Sequence, residues 1–346
     1  MSSVKKRWVR AGTVTALFAC SPAGFAGVGH YLPGMFNIRD FFVPEDKGVY
    51  TAMYYGNYSA DTINDKNGNG VSTVTATVNG PGGIASATAT ANLKASIDIN
   101  IAAPVIMWNT GYKVLGADYA MYIAVPFTNN SLGASFDSLV DVNAGGFGAS
   151  RSPSASANSN TFGISDIYVQ PLWLDWRGKH YDVSAGYGFY APTGNYSPTG
   201  GAKNIGLGYW SHQLQLAGAY YPFDNQGTAL TLAGTYEIDQ KMAGKDFTQG
   251  PHFTLNWGLS QYLPITKDVL LEVGPAGYSQ WQVQSNQGSD QPLFLNANNE
   301  VHAAGGQIGV AVPKIKAKLS FHYFAEFDAQ ARPLGNYLGA TAAVGF

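Results

Sequence analysis

From residue 48 to its end, the sequence alternates apolar and polar residues with a period of two, one segment after another. Gly, Asn, Asp and Pro punctuate the segments. Alternation of this kind places apolar side chains on one face of a β-strand and polar ones on the other. In 269–283 one face carries Val269, Leu271, Val273, Trp281 and Val283, against Glu272, Tyr278, Gln280 and Gln282. In 319–328 Leu319, Phe321, Tyr323, Ala325 and Phe327 oppose Ser320, His322, Phe324, Glu326 and Asp328. About twelve such runs can be counted, near 48–60, 86–108, 117–128, 163–176, 180–192, 206–221, 228–240, 250–263, 268–284, 302–312, 316–328 and 336–346.

The links between runs alternate in length. Short ones fall at 109–116, 177–179, 224–227, 266–268 and 313–314, and longer ones at 61–85, 129–162, 193–205, 241–249, 285–301 and 329–335. Short turns on one side and long polar loops on the other mark an outer-membrane barrel. Composition agrees: charged residues make up 12% of the 346, about half of what a soluble domain carries. No uncharged apolar run reaches the roughly 18 to 20 residues of a spanning helix. The expected fold is therefore all-β, a transmembrane antiparallel up-and-down β-barrel of about 12 strands over residues 48–346. An even count returns both ends to the periplasm. Terminal Phe346 closes a strand whose apolar face is Leu338, Ala340, Ala342 and Val344, which resembles the signal read by outer-membrane assembly machinery. Tyr50, Tyr54, Tyr58, Trp173, Tyr181, Trp210, Tyr220, Trp257, Trp281 and Tyr323 are expected in interfacial girdles.

Residues 1–26 read as a secretory signal peptide: Lys5, Lys6, Arg7 and Arg10, a short apolar stretch, then small Gly24 and Ala26 before a cleavage site. Cys20 is the only cysteine; it is either discarded with the leader or, within a lipobox-like Leu17-Phe18-Ala19-Cys20, lipidated. Cleavage after Ala26 removes four of the 20 basic residues and none of the 22 acidic ones, leaving a net charge of −6. That balance argues against a nucleic-acid partner.

Five local sequences occur in order along the chain: His30-Tyr31-Leu32-Pro33-Gly34; 108–113 with 116–119; 166–171; 187–196; and 234–238. Together they resemble the outer-membrane family named for the meta-pathway of phenol degradation. The resemblance implies a transporter, linked with uptake of aromatic or other hydrophobic compounds. The Ala/Ser/Thr-rich stretches 61–92 and 129–162 depart from the family pattern, so solute choice is the property least transferable from it.

With the apolar face toward lipid, the polar face lines the lumen. The lining candidates are Lys94, Asp98, Asn100, Asp166, Gln170, Asp182, Tyr190, Glu237, Glu272, Tyr278, His322 and Glu326. Carboxylates greatly outnumber cations on that face, so the path is expected to prefer cations or neutral solutes, unless the carboxylates serve packing. The segment 27–47, with His30, Tyr31, Leu32, Pro33 and Phe36, is too apolar for a free tail. It is expected to fold into the periplasmic mouth as a hatch or to pack across the barrel rim.

No Gly-x-Ser-x-Gly, His-Glu-x-x-His or P-loop pattern occurs. Ser320, His322 and Glu326 share one strand face but stand about 7 Å apart at successive positions, too far to hydrogen-bond. The oxygen-rich 61–70 lacks the closing Glu of a Ca²⁺ loop. No enzyme, cofactor or metal is expected. The expected partners are outer-membrane lipid and lipopolysaccharide, the assembly machinery and a small-molecule solute. The sequence thus points to a bacterial outer-membrane channel, or alternatively to an adhesive or structural barrel binding an outside partner through its long loops.

Overall fold

The computed structural model describes residues 29–79, 85–144, 147–152, 154–291 and 297–346; the expected leader lies outside them. Sixteen strands run β1 (Gly48–Ile63), β2 (Thr73–Asn79), β3 (Ala85–Val114), β4 (Ala117–Ala124), β5 (Phe127–Ala144), β6 (Phe147–Arg151), β7 (Ser154–Ile164) and β8 (Ile167–Arg177). They continue as β9 (Tyr181–Ala191), β10 (Ser211–Tyr220), β11 (Thr228–Asp239), β12 (His252–Pro264), β13 (Leu270–Gln282), β14 (Glu300–Val312), β15 (Ala317–Gln330) and β16 (Pro333–Gly345).

Two staves are interrupted. β4 and β5 form one stave broken at Val125–Pro126, and β7 and β8 form another broken at Ser165–Asp166. β2 and β6 pair only with the projecting parts of β3 and β5. The remaining tracks make a ring of twelve antiparallel staves, closed where β1 pairs with both β16 and β3. Closure is a physical requirement, because an open edge in lipid leaves unpaired N–H and C=O groups at several kcal/mol each. Gly48 and Gly345 lie at the same end as the tight turns, the periplasmic end. Leu115 and Lys316 adopt left-handed conformations in two of those turns.

Strand count, chain order and the alternation of short and long links match the sequence pattern. Three details differ. Residues 206–210 belong to a loop, with β10 starting at Ser211. The expected long link 329–335 shrinks to Ala331 and Arg332 between β15 and β16. The small-residue stretches after β1 and within 129–162 are largely ladder: β3 is 30 residues long, against the roughly 9–11 that span a bilayer, so β3, β5 and β7 project well beyond the extracellular side.

Leu214, Leu216, Leu230, Leu232, Ile308, Phe321 and Leu338 are exposed on the outer wall, while their strand neighbours Gln213, Gln215, Thr231, His322 and Tyr337 are buried inside. Tyr181, Trp210, Tyr220 and Tyr323 lie outward as expected of girdle residues. Tyr54, Tyr58 and Trp173 do not: they are buried in the lumen, where the N-terminal segment packs on that wall. Leu232 sits midway along β11, so Leu232→Arg should lower barrel stability by about 2–4 kcal/mol. Denaturant titration in liposomes measures this, and an unchanged midpoint would contradict the outward assignment.

Candidate functional site in the lumen

Residues 29–47 run through the lumen from one end to the other. His30 and Tyr31 sit at the extracellular end, against β10, β11 and the Ser165–Asp166 break. Arg39 reaches the periplasmic turn at Gln226 and Gly227, and Val43 meets Asp175 near the lower end of β8. Leu32-Pro33-Gly34-Met35 makes a tight turn, Met35 N–H to Leu32 C=O at 3.4 Å. Pro presets its second residue, and Gly34 at φ +81° supplies the left-handed third. A Cβ at Gly34 would stand 2.9 Å from the Tyr278 ring, so the wall also demands glycine there.

An irregular segment has no ladder of its own, and its peptide groups need partners when buried. Side chains of the wall supply them. Glu237 accepts the backbone N–H of His30 at 2.6 Å and of Tyr31 at 2.7 Å, one on each oxygen. Gln307 accepts from Ile38 N–H at 3.0 Å and Asp175 from Val43 N–H at 3.0 Å. Arg177 and Asn109 donate to the carbonyls of Val43 and Pro44. Asn256 donates to the Tyr31 hydroxyl at 3.0 Å. Burial pushes that phenol up to about 12, with the Asn256 hydrogen bond opposing, so it stays neutral at physiological pH.

At the extracellular rim, His30 lies between Asp166 (Nε2 to Oδ2, 2.8 Å) and Ser211 (Nδ1 to Oγ, 2.6 Å). Its ring stacks on Tyr190 at 4.7 Å. Burial alone would raise the Asp166 carboxyl; the His30 hydrogen bond and charge, with the amides of Leu207 and Gly194, hold it below the ordinary value. Ligand-capable atoms of His30, Glu237 and Asp239 come within 4.8 Å of one another. His30 and Glu237 commit theirs to the hydrogen bonds above. At the other end, Glu272 meets Lys318 at 2.9 Å and Arg39 at 3.8 Å, and Asp40 meets Lys318 at 3.3 Å. Arg39 lies over the Tyr262 ring at 4.2 Å. On the β15–β16 side, Glu326 binds Tyr58, Tyr278 and Arg332.

Between this segment and the wall of β1, β3, β4 and β8 lies a cavity of about 120 Å³. Tyr31, Phe36, Tyr54, Tyr122, Tyr168 and Tyr190 supply its rings, with Ile101, Ala103 and Val105 beside them. His30, Asp166 and Thr128 form its polar edge.

The structure turns nine of the twelve sequence-picked positions inward: Asp166, Gln170, Asp182, Tyr190, Glu237, Glu272, Tyr278, His322 and Glu326. Asp166, Tyr190 and Glu237 come together around His30, and Tyr278 and Glu326 pair on the far wall. Gln170 binds Tyr168, Asp182 binds Tyr221, and His322 Nδ1 meets Asn37 of the lumen segment at 2.9 Å. Lys94, Asp98 and Asn100 are corrections. In β3 the odd residues Ile99, Ala103, Val105 and Asn109 are buried, so the even residues face out. Asp98 and Asn100 bond Asn57 on the outer wall. The apolar face of β3 meets Met35 and Phe36, so apolarity there marks a dry plug contact instead of lipid.

The four lumen cations Arg39, Arg177, Lys318 and Arg332 were not anticipated, and they pair with much of the carboxylate charge. Arg332 lies just beyond its run and Arg39 inside the N-terminal segment, where alternation carries no face information. Pro126, which cannot donate to a ladder, was the available signal for the break beside Asp166. Of the expected hatch residues, His30, Tyr31, Leu32 and Phe36 contact the wall or line the cavity, and Pro33 sits in the turn.

Residues 60–342 match the family described as "Putative MetA-pathway of phenol degradation". The chain belongs to that family. No curated protein matches the sequence. Among solved structures, the COG4313 outer membrane channel from Pseudomonas putida F1 is similar, with a TM-score of 0.59 at 14% identity over 90% of this chain and 100% of that one. A FadL homologue from Pseudomonas aeruginosa aligns over 87% of this chain and 90% of its own, at 9% identity and a TM-score of 0.32. The P. putida likeness extends to the barrel itself, and this family member is an outer-membrane barrel.

Glu237→Gln replaces one acceptor oxygen by an amide that faces a backbone N–H. The lumen segment should lose about 1–3 kcal/mol of seating while the barrel folds. Limited proteolysis of the segment, with heat-modified gel migration as the folding control, reads both.

Proposed function

We propose that this protein is a passive channel for small hydrophobic or aromatic solutes, with residues 29–47 as a hatch in its lumen. The observation that carries this reading is the ring-lined cavity between hatch and wall. Its volume of about 120 Å³ is comparable to the roughly 150 Å³ of an engineered apolar cavity that binds benzene. Tyrosines present both a ring face and a hydroxyl, so a solute with one apolar body and one polar edge suits the lining. Hatch and lumen carboxylates supply a lined path and no chemical step.

In this reading Asp166, Gln170, Asp182, Tyr190, Glu237, Glu272, Tyr278, His322 and Glu326 seat the hatch or line the path. Phe346, exposed at the end of β16, addresses the assembly machinery, and residues 1–26 direct export. The P. putida structure carries the word channel in its name, which agrees with the proposal. The lumen holds Asp40, Asp118, Asp166, Asp175, Asp182, Glu237, Asp239, Glu272 and Glu326 against Arg39, Arg177, Lys318, Arg332 and, at the periplasmic rim, Lys113, so neutral and cationic solutes are favoured over anions.

Deleting residues 29–44 should raise single-channel conductance severalfold and speed liposome swelling with neutral monocyclic solutes. Unchanged conductance in a correctly folded deletion protein would rule out the hatch. A barrel that admits charged sugars as readily as aromatic alcohols would rule out the solute class. Tyr122→Trp, which fills the cavity, should slow aromatic uptake while leaving heat-modified migration unchanged.

A further inference from the structure

We propose that Asn130 is the hydrogen-bonding end of the solute site, and that it selects aromatic solutes carrying an uncharged hydroxyl or amide. This deepens the reading of the ring-lined cavity as the place of the solute, and rests on it. Asn130 stands on the inward face of β5 and is only 1% exposed. Neither its side-chain nitrogen nor its side-chain oxygen hydrogen-bonds any described group. A buried carboxamide without partners has given up the hydration of both its ends for nothing in return. Its inward neighbour on β3, Ile99, is apolar, and packing alone would favour an apolar residue at Asn130 as well.

The register of the wall puts Asn130 at the extracellular end of the cavity. It pairs with Ile99 of β3 and Thr161 of β7. The next inward row toward the periplasm is Ile101, Thr128 and Gly163. Ile101 and Thr128 line the cavity. Two residues along a strand span about 7 Å, so a ring lying against Ile101 and Thr128 can carry its polar group to Asn130 on a short arm. The loop between β9 and β10 closes the other side. A Cβ at Gly163 would stand 3.3 Å from the Ile205 side chain, and the Thr161 hydroxyl donates to the Ala202 carbonyl at 3.4 Å. Asn130 is thus shut off from bulk water beneath this loop, and a partner for its amide has to come from the cavity side.

Other polar groups of the lining are already committed. The hydroxyls of Tyr54, Tyr168 and Tyr190 donate to Asp40, Gln170 and Gln213. Ser165 Oγ donates to the Ile205 carbonyl. Asp166 accepts the amides of Gly194 and Leu207 and meets His30. Asn130 offers what these groups lack: a free acceptor oxygen and free N–H donors on one planar amide. A solute hydroxyl can donate to the oxygen or accept from the nitrogen, and a solute amide can do both. A bare hydrocarbon leaves the carboxamide without a partner, and a carboxylate would add negative charge beside Asp166, which lines the same cavity.

Binding of radiolabelled 2-phenylethanol and propylbenzene to the full mature protein in lipid nanodiscs tests this. The two probes differ by a hydroxyl in place of a methyl, and each is corrected for uptake into empty nanodiscs. Wild type should favour the alcohol by about tenfold. Asn130→Leu should erase that preference by weakening the alcohol, with heat-modified migration unchanged. Asn130→Ala, which removes the amide without filling its place, gives the same reading if the leucine variant does not fold. Equal affinities in wild type overturn the proposal, the result expected where ordered water already satisfies Asn130. A preference that survives in the variants also overturns it and assigns the alcohol to the tyrosine hydroxyls. If neither probe binds wild type, the solute reading of the cavity itself fails; if both bind without preference, that reading stands and only the role of Asn130 falls.

Discussion

Every peptide group in the lipid-facing wall and in the segment that fills the lumen has to find a hydrogen-bond partner without help from bulk water. On the outside, lipid enforces the rule, and the twelve-stave ring is its solution: β1 closes against β16 on one side and β3 on the other. In the lumen the same rule acts on an irregular segment. There the partners are side chains of the wall, with Glu237, Gln307 and Asp175 standing where a neighbouring strand's carbonyls would be. The polar inner face is thus largely a template for one particular backbone. That explains why so many lumen residues are fully buried: they are solvated by the hatch.

The same arrangement sets the electrostatics. Carboxylates are good acceptors for backbone N–H groups, but several of them buried together need cations. Arg39 brings one with the hatch, and Lys318, Arg177 and Arg332 bring others from strand ends and turns. At the extracellular end His30 hydrogen-bonds Asp166 at 2.8 Å. Through Arg39 the N-terminal segment carries one of the charges that neutralise the wall holding it. Seating and charge balance are coupled, and whatever displaces the hatch leaves an acidic, solvated path.

Much of this was legible in the sequence, and the limits are instructive. Alternation identified the strands because lipid and lumen differ in polarity for most of the ring: Leu319 to Phe327 reads outward and Ser320 to Glu326 inward without error. It failed in β3 because both faces there are apolar for different reasons. Ile106 and Trp108 meet lipid, while Ala103 and Val105 meet Met35 and Phe36 of the hatch. Parity could not choose between them, and Lys94, Asp98 and Asn100 were turned the wrong way. Tyr54, Tyr58 and Trp173 were misplaced for the same reason, since an aromatic near a strand end suits a membrane interface and a plug contact equally well. Nothing in a single strand's pattern reports what fills the barrel.

The N-terminal segment showed the reverse problem. Its composition said it had to be covered, yet no periodicity could say where along the lumen it would lie. The answer comes from pairs distant in the chain: Glu237 with His30, Gln307 with Ile38, Thr341 with Asn37. Each wall residue looks, in its own strand, like an ordinary lumen polar group. Only their heights on neighbouring staves, fixed by the ring's register, line them up along one descending backbone. Because that path passes the Ser165–Asp166 break, the interruption of β7 and β8 serves the hatch as well as bending the wall: it turns Asp166 inward, where a continuous strand would place an acceptor from one residue in two at a fixed height. The cavity lies beside this break, so this irregular corner holds the upper tie of the N-terminal segment and the ring-lined space together. A change in either one is therefore felt by the other.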